Sequence, residues 1–171
     1  MKTLLACLFA FFCTLAIAQS DNSINKIQLI IKQINKDSSY RTKILDNEQF
    51  LEEIPDGGGQ LTGYFKNGQL VKIVEFIGFS SCINITEYYL KDNKLIFIYI
   101  KGKEFKYVDS LATFNRNLQS LTMECRFYFQ NDKLIKSTLA GSTRCAGIPS
   151  ESWAERCQAS YLRYIKLLTN K

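Results

Sequence analysis

Histidine is absent from all 171 residues of the sequence. This absence excludes the Ser-His-Asp and Cys-His catalytic arrangements, metal sites built on histidine, and the commonest general base of enzymes. The sequence also lacks a Gly-x-Ser-x-Gly motif, an EF-hand loop and a phosphate-binding loop, because no Lys-Ser or Lys-Thr follows the glycines at positions 57–59. We therefore expect a protein that is not an enzyme and that uses no metal or cofactor.

The long apolar run is confined to the N-terminus, which has the layout of a secretory signal peptide. A single lysine precedes apolar residues 4–12, and the small residues Ala16 and Ala18 stand before Gln19, the pattern that signal peptidase recognises. We predict that residues 1–18 are cleaved and that the mature chain is periplasmic or secreted. A membrane-spanning helix needs roughly 20 apolar residues, so we expect no membrane span after cleavage. Nucleic acid is not an expected partner in that compartment.

The remaining residues, 19–171, have the length of one domain. The formal net charge of the whole sequence is +6. A modest basic excess on an exported chain favours contact with anionic surfaces or acidic partners, and it says little about the fold.

Four cysteines remain after cleavage, namely Cys82, Cys125, Cys145 and Cys157. An even number in an oxidising compartment predicts two disulfides, for which three pairings are possible. We favour Cys82–Cys125 and Cys145–Cys157, because the second pair flanks a short loop that contains Gly147. A zinc site is not favoured, because four-thiolate sites use closely spaced Cys-x-x-Cys pairs and the sequence has none.

A degenerate repeat predicts three β-hairpins. Its copies align on a tyrosine and read YFKNGQLV from Tyr64, YLKDNKLI from Tyr89 and YFQNDKLI from Tyr128. Each copy contains a two-residue turn, and Asn-Gly is the strongest signal for a type I′ turn, whose central residues both need positive φ. Three hairpins account for about six strands, and Phe105 and Tyr107 predict one more.

Helical periodicity marks both ends of the predicted domain. Apolar residues recur at helical spacing over Asn22–Lys36 and again over Ser152–Leu168. Ser152 and Glu155 have the spacing of a capping box at the start of the second helix.

Shorter patterns fill the space between these elements. Alternation over Tyr40–Ile44 predicts a short strand, Asp46–Leu51 predicts one or two helical turns, and residues 109–118 fit either a loop or a short helix. The whole pattern predicts an α+β fold. An antiparallel meander of about six to seven strands is expected to carry an N-terminal and a C-terminal helix packed on it.

The repeat also predicts what each face of the sheet carries. One face takes the pairs Phe65/Leu70, Leu90/Leu95 and Phe129/Leu134, and the other takes Tyr64/Val71, Tyr89/Ile96 and Tyr128/Ile135. Both faces are therefore partly apolar. In one interpretation both faces are covered, by helices or by the sheet curling on itself. In the other, Tyr64, Tyr89 and Tyr128 form an exposed binding face.

Five acidic residues fall within eleven positions that contain no lysine or arginine: Asp46, Glu48, Glu52, Glu53 and Asp56. Such a cluster ordinarily forms a solvated surface, and acidic residues at a helix start offset the helix dipole. A weak calcium site and a docking patch for a basic partner are the alternatives.

Residues 57–99 resemble uncharacterised exported proteins of Gram-negative bacteria. The resemblance rests on the segments GGQLTGYF from Gly58, LVKI from Leu70 and EYY from Glu87. It implies export and β-hairpins. It brings no assigned activity, because its motifs are those of turns and strands.

Three hypotheses of function follow. The missing catalytic motifs and the two-sided apolar sheet favour an exported, non-enzymatic binding protein that engages an envelope protein, a glycan or a small amphiphile. The first alternative is an inhibitor of a secreted hydrolase, with the segment Asp46–Asp56 or the glycine-rich turn entering the target. The second alternative is a glycosidase with two catalytic carboxylates, because that chemistry needs no histidine.

Overall fold

The structure is a computed structural model that describes residues 22–170. The predicted signal peptide, residues 1–18, lies outside this range. The chain divides after Asp37 into two compact units. The first contains α1, a helix over residues 22–36, which confirms the predicted N-terminal helix. No helix among the described residues is long and apolar enough to cross a membrane.

The second unit is built on one antiparallel sheet, whose strands lie side by side in chain order. Its described strands are β1 (Arg41–Asp46), β2 (Gly59–Lys66), β3 (Gln69–Gly78), β4 (Cys82–Lys91), β5 (Lys94–Val108), β6 (Thr113–Gln130) and β7 (Lys133–Gly141). The short helix α2 (Asn47–Phe50) follows β1, a 3₁₀ turn (Asp109–Leu111) joins β5 to β6, and α3 (Ser152–Thr169) follows the sheet. The predicted α+β meander with a helix at each end is confirmed.

Turn residues with a left-handed backbone create the three predicted hairpins. The φ angle is 50° at Asn67 and 79° at Gly68, and both turn residues of the other two hairpins also have positive φ. This is the type I′ geometry that suits the twist of the flanking strands. The predicted apolar pairs Phe65/Leu70, Leu90/Leu95 and Phe129/Leu134 are all present.

Each hairpin also contains a β-bulge next to the tyrosine of the repeat. Tyr64 pairs with Lys72 instead of Val71, Tyr89 with Phe97 instead of Ile96, and Tyr128 with Lys136 instead of Ile135. The predicted pairs on the tyrosine side are therefore wrong by one residue. An extra residue in one strand breaks the simple alternation and increases the local twist. Because all three hairpins have the same insertion, it is a property of the repeat.

We call the side of the sheet that packs against α3 the inner face. Ile73, Tyr88, Ile98 and Phe127 form a row across β3 to β6 on this face and are fully buried. They belong to one apolar core that also contains the buried side of α3. The ring of Tyr161 in α3 stacks on Tyr88 with centroids 6.3 Å apart.

The C-terminal end of α3 is anchored to the first strands of the sheet. A Cβ atom on Gly63 would lie 3.1 Å from the methyl groups of Leu168, so glycine at this position permits the close approach of α3 to β2. Lys43 Nζ donates hydrogen bonds to the carbonyl oxygens of Leu167 and Leu168, each at 3.1 Å. A cation at this end also offsets the helix dipole.

The N-terminal end of α3 differs from the prediction. The N-cap is Glu151, which makes no capping hydrogen bond with its side chain, so the predicted capping box of Ser152 and Glu155 is wrong. The backbone replaces it, because the amides of Trp153 and Ala154 donate to the carbonyl oxygens of the preceding turn. The first amides of a helix need acceptors, and a turn can supply them as well as a side chain.

A disulfide joins Cys82 to Cys145, whose Cα atoms are 6.3 Å apart, and Cys125 and Cys157 are free. The predicted pairs Cys82–Cys125 and Cys145–Cys157 are not the pairs that the structure contains. The segment after β7 folds back over the start of β4 rather than towards α3. Arg144 holds it there through an ion pair of 2.7 Å with Glu104 of β5.

Candidate ligand-binding cavity

A cavity of about 470 Å³ lies between the inner face and the first half of α3. Strands β3 to β5 contribute Glu75, Asn84 and Ile100 to its wall, and α3 contributes Trp153 and Ser160. The segment after β7 closes one side, where Cys145 and Ala146 line the cavity beside the disulfide. The volume is in the range of sites that hold small molecules.

Glu75 is the charged group of the cavity on the sheet side. It stands between Ile73 and Ile77 on β3, and alternate residues of a strand share a face, so its carboxyl lies at an otherwise apolar position of the inner face. Tyr164 Oη donates to Glu75 Oε1, and Tyr88 Oη donates to Oε2 at 3.5 Å. Burial raises the pKa of Glu75, although these hydrogen bonds oppose the shift.

The two tyrosines act as fixed hydrogen-bond donors. Burial raises the pKa of Tyr88 well above 10, and burial together with the charge of Glu75 raises the pKa of Tyr164. Both phenols therefore keep their protons throughout the range in which Glu75 titrates. The ring of Tyr88 also packs edge-on against Tyr164, with centroids 5.9 Å apart, which fixes both rings beside the carboxyl.

Acceptor oxygens gather next to Glu75 on the neighbouring strand. Thr86 of β4 pairs directly with Glu75, and Asn84 lies two residues away on the same face. Asn84 Oδ1 is buried and has no hydrogen-bond partner within the described part of the chain. A buried acceptor without a donor is costly, so a ligand that donates a hydrogen bond here would be favoured.

The cavity lining contains one thiol, Cys157, and one carboxyl, Glu75. Burial raises the pKa of Cys157 to about 12, so its thiol stays protonated and is a poor nucleophile. Glu75 is the one carboxyl in the described lining, whereas a glycosidase needs two across the scissile bond. The described lining therefore lacks the pair of carboxyl groups that a glycosidase uses.

The three repeat tyrosines lie on the outer face of the sheet, in one row with Phe97. Tyr89 and Tyr128 are only 1% and 6% exposed, and Tyr64 has intermediate exposure. The ring of Phe97 packs between two of them, with centroid distances of 5.7 Å to Tyr89 and 4.8 Å to Tyr128. This packing favours the interpretation in which the tyrosines are structural rather than an open binding face.

An ion-pair network stands beside these tyrosines. Glu87 bonds Lys101 at 2.5 Å and Lys72 at 2.8 Å, and it accepts a hydrogen bond from Tyr89. Burial opposes the ionisation of Glu87, but these bonds outweigh it and lower its pKa to about 2. Glu87 is therefore charged and paired at neutral pH.

The acidic segment forms an exposed surface away from the cavity lining. Asp46, Glu48, Glu52, Glu53 and Asp56 are all exposed. The backbone amide of Asp46 donates to Gln49 Oε1 at 2.8 Å at the start of α2, and Glu52 pairs with Arg163 of α3 at 3.4 Å. No group of three or more histidine, cysteine or acidic residues within residues 22–170 could hold a metal ion.

The sequence patterns missed the residues that form the cavity. Glu75 had a signal, because a charge between two isoleucines breaks the apolar alternation of β3. Tyr164 also had one, because it follows Tyr161 by three residues and so continues the same helical stripe. The sequence carries no such signal for Asn84, because only the register of β4 against β3 shows which residues of β4 face inward.

Comparison with known proteins does not extend these observations. No family model, curated protein or solved structure matches the chain. The interpretation of the site therefore rests on its own geometry.

Proposed function

We propose that this chain is an exported, non-enzymatic binding protein that takes a small amphipathic molecule into the cavity between the sheet and α3. The observation that carries the proposal is a cavity of about 470 Å³ that combines apolar walls with a few convergent polar groups. Ile77, Ile100 and Trp153 offer apolar contact, and Glu75 and Asn84 offer polar contact. Small-molecule sites typically have this composition.

Export is supported by two independent features. The N-terminal sequence has the pattern of a cleaved signal peptide. The second unit contains the Cys82–Cys145 disulfide, and such bonds form and persist in oxidising compartments.

The other two hypotheses have less support. The glycosidase hypothesis needs a second carboxylate, and the described cavity lining has only Glu75. The inhibitor hypothesis would use the acidic segment, whose Glu52 pairs with Arg163 of the same chain. No contact or distance described in the structure specifically favours the glycosidase or the inhibitor hypothesis.

Fluorescence offers a direct test of the proposed binding. The probe is N-phenyl-1-naphthylamine, a neutral apolar molecule that brightens when it leaves water. Trp153 lines the cavity and is the single tryptophan of the sequence, so it can transfer excitation to a probe bound there. We expect saturable binding with energy transfer from Trp153.

A pair of adjacent substitutions on α3 locates the binding. Ser160 lines the cavity, whereas Ala159 is exposed and is not part of the described lining. Ser160→Trp places a large ring in the cavity and should abolish saturable probe binding, whereas Ala159→Trp should leave it unchanged. Equal binding by both variants, or no binding by the unmodified protein, would contradict the proposal.

A further inference from the structure

We infer that the molecule held in this cavity carries a protonated primary amine and that the carboxylate of Glu75 is its counter-ion. The inference rests on the proposed function and adds the chemical class of the ligand. The ligand would be an alkyl- or arylalkylammonium ion whose apolar body fits within about 470 Å³.

The first support is that Glu75 forms none of the ion pairs described within residues 22–170. The acidic members of the ion pairs described within residues 22–170 are Glu52, Glu87, Glu104 and Glu124, and Glu75 is not among them. Its direct partners are the neutral hydroxyl groups of Tyr164, Tyr88 and Thr86. A desolvated carboxylate is ordinarily paired with a cation, and the open side of Glu75 faces the cavity.

Arg156 lines the cavity, and Arg163 lies near enough to Glu75 to act on its pKa, but both arginines have other contacts. Arg163 pairs with Glu52 at 3.4 Å and lies over the ring of Tyr164 at 5.4 Å. Arg156 lies over the ring of Trp153 at 5.3 Å and is exposed to solvent. The charge of Arg163 lowers the pKa of Glu75, but burial outweighs it and the net shift is upward. Solvent and salt also screen exposed guanidinium groups, so the two arginines offset the desolvation of Glu75 only in part.

The second support is the match between donors and acceptors. A primary ammonium group has three N–H donors and no acceptor. The inner face of β3 and β4 presents the carboxylate of Glu75, the oxygen of Thr86 opposite to it and the unpartnered Oδ1 of Asn84. Glu75 and Thr86 are directly opposed, at about 5 Å, and Asn84 is the diagonal neighbour of Glu75, at about 7–8 Å. An ammonium group between them can therefore donate to oxygens of both strands.

The third support is the apolar and aromatic surface around these acceptors. Ile77, Ile100 and Trp153 line the same cavity and can contact a hydrocarbon body. Tyr88 also lines the cavity, with its ring stacked on that of Tyr161. A hydrophilic cation without an apolar body would leave these surfaces in contact with water.

A competition experiment tests the inference with matched ligands. The fluorescent probe is displaced from the unmodified protein with n-octylamine, which is charged near neutral pH, and with 1-octanol, which has the same chain and no charge. We expect the amine to bind at least about tenfold more tightly than the alcohol, equivalent to about 1.4 kcal/mol. Equal affinities, with probe binding still abolished by Ser160→Trp, would overturn the inference and leave the proposed function intact.

Two charge-removing variants assign the preference to one residue. Glu75→Gln should lose the preference for the amine while it still binds the neutral probe. Glu52→Gln removes the same formal charge from a side chain that is 91% exposed and should retain the preference. If Glu75→Gln does not fold, Glu75→Asp keeps the charge and shortens the side chain, and it should weaken the preference. The inference would be overturned if Glu75→Gln kept the preference for the amine and Glu52→Gln lost it.

Titration adds an independent readout. The amine affinity should fall on acidification through the pKa of Glu75, while octanol affinity should stay constant. The other groups that face Glu75 do not titrate in this range, because Tyr88, Tyr164 and Cys157 keep their protons and Arg156 and Arg163 keep their charges. Amine and alcohol affinities that change in parallel with pH would overturn the assignment.

Discussion

At the scale of single residues, Glu75 and Glu87 respond to burial in opposite ways. Glu75 of β3 pairs with Thr86, and Glu87 of β4 pairs with Val74, so the two carboxyl groups lie one register position apart on opposite faces of the sheet. Burial dominates at Glu75 and raises its pKa, whereas two lysines dominate at Glu87 and lower its pKa to about 2. The same residue type is therefore costly to ionise on the inner face and stabilising when ionised on the outer face.

The pH dependence of stability should show this contrast. The folded pKa of Glu75 is above the ordinary 4.5, so the folded state binds its proton more tightly, and the free energy of unfolding falls as pH rises from about 4.5 through the folded pKa. In Glu75→Gln this fall should be smaller. Thermal unfolding of both proteins should therefore show the variant gaining stability relative to the unmodified protein as the pH rises above about 4.5.

Glu87→Gln is the control of opposite sign. The folded pKa of Glu87 is about 2, so its contribution is present above about pH 4.5 and is lost as pH falls towards 2. This variant should be destabilised near neutral pH and approach the unmodified protein in acid. Equal pH profiles for the two variants would contradict the assignment of the shifts.

At the scale of elements, the hairpin turns differ in how well their residues suit a left-handed backbone. Gly68 adopts φ of 79° without cost, whereas Asp132 adopts 61° at the equivalent position. We expect Gly68→Ala to lower the free energy of unfolding by about 1 kcal/mol and Asp132→Gly to raise it by a similar or smaller amount. Urea unfolding of both variants would measure this, and a change of the same sign in both would contradict the turn assignment.

The strands and turns were predictable because their signals are local. Asn67 and Gly68 specify a turn by their own backbone preferences, and the neighbouring apolar residues follow from the turn. The bulges were not predictable, because the insertion of Val71, Ile96 and Ile135 depends on how two paired strands twist together. Prediction of the cavity also requires the strand register and the position of α3 on the sheet, and no single segment of the sequence encodes either.

At the scale of the whole molecule, the disulfide holds the segment after β7 against the sheet. It links residues 63 positions apart, and this segment provides the part of the cavity wall formed by Cys145 and Ala146. The cysteine prediction failed because it used spacing along the chain. The Cys82–Cys145 contact instead depends on a segment that returns to the start of β4.

Reduction should therefore affect both stability and binding. A bridge of this span is worth about 2–4 kcal/mol, so a reductant should lower the free energy of unfolding by that amount and weaken probe binding. The double variant Cys82→Ala, Cys145→Ala should be insensitive to the reductant. Peptide mapping should recover Cys82 linked to Cys145, and recovery of Cys82–Cys125 or Cys145–Cys157 would contradict this pairing.

The chain-order arrangement of the strands also bears on how quickly and in what sequence the fold is assembled. Each strand pairs only with its neighbours along the chain, so the sheet forms through short loop closures, which favour rapid folding. The contact of Lys43 with the end of α3 spans 124 residues and is the long-range step. Because both the sheet and α3 line the cavity, the cavity forms when α3 packs on the sheet, and the fluorescence of Trp153 on α3 can follow that packing.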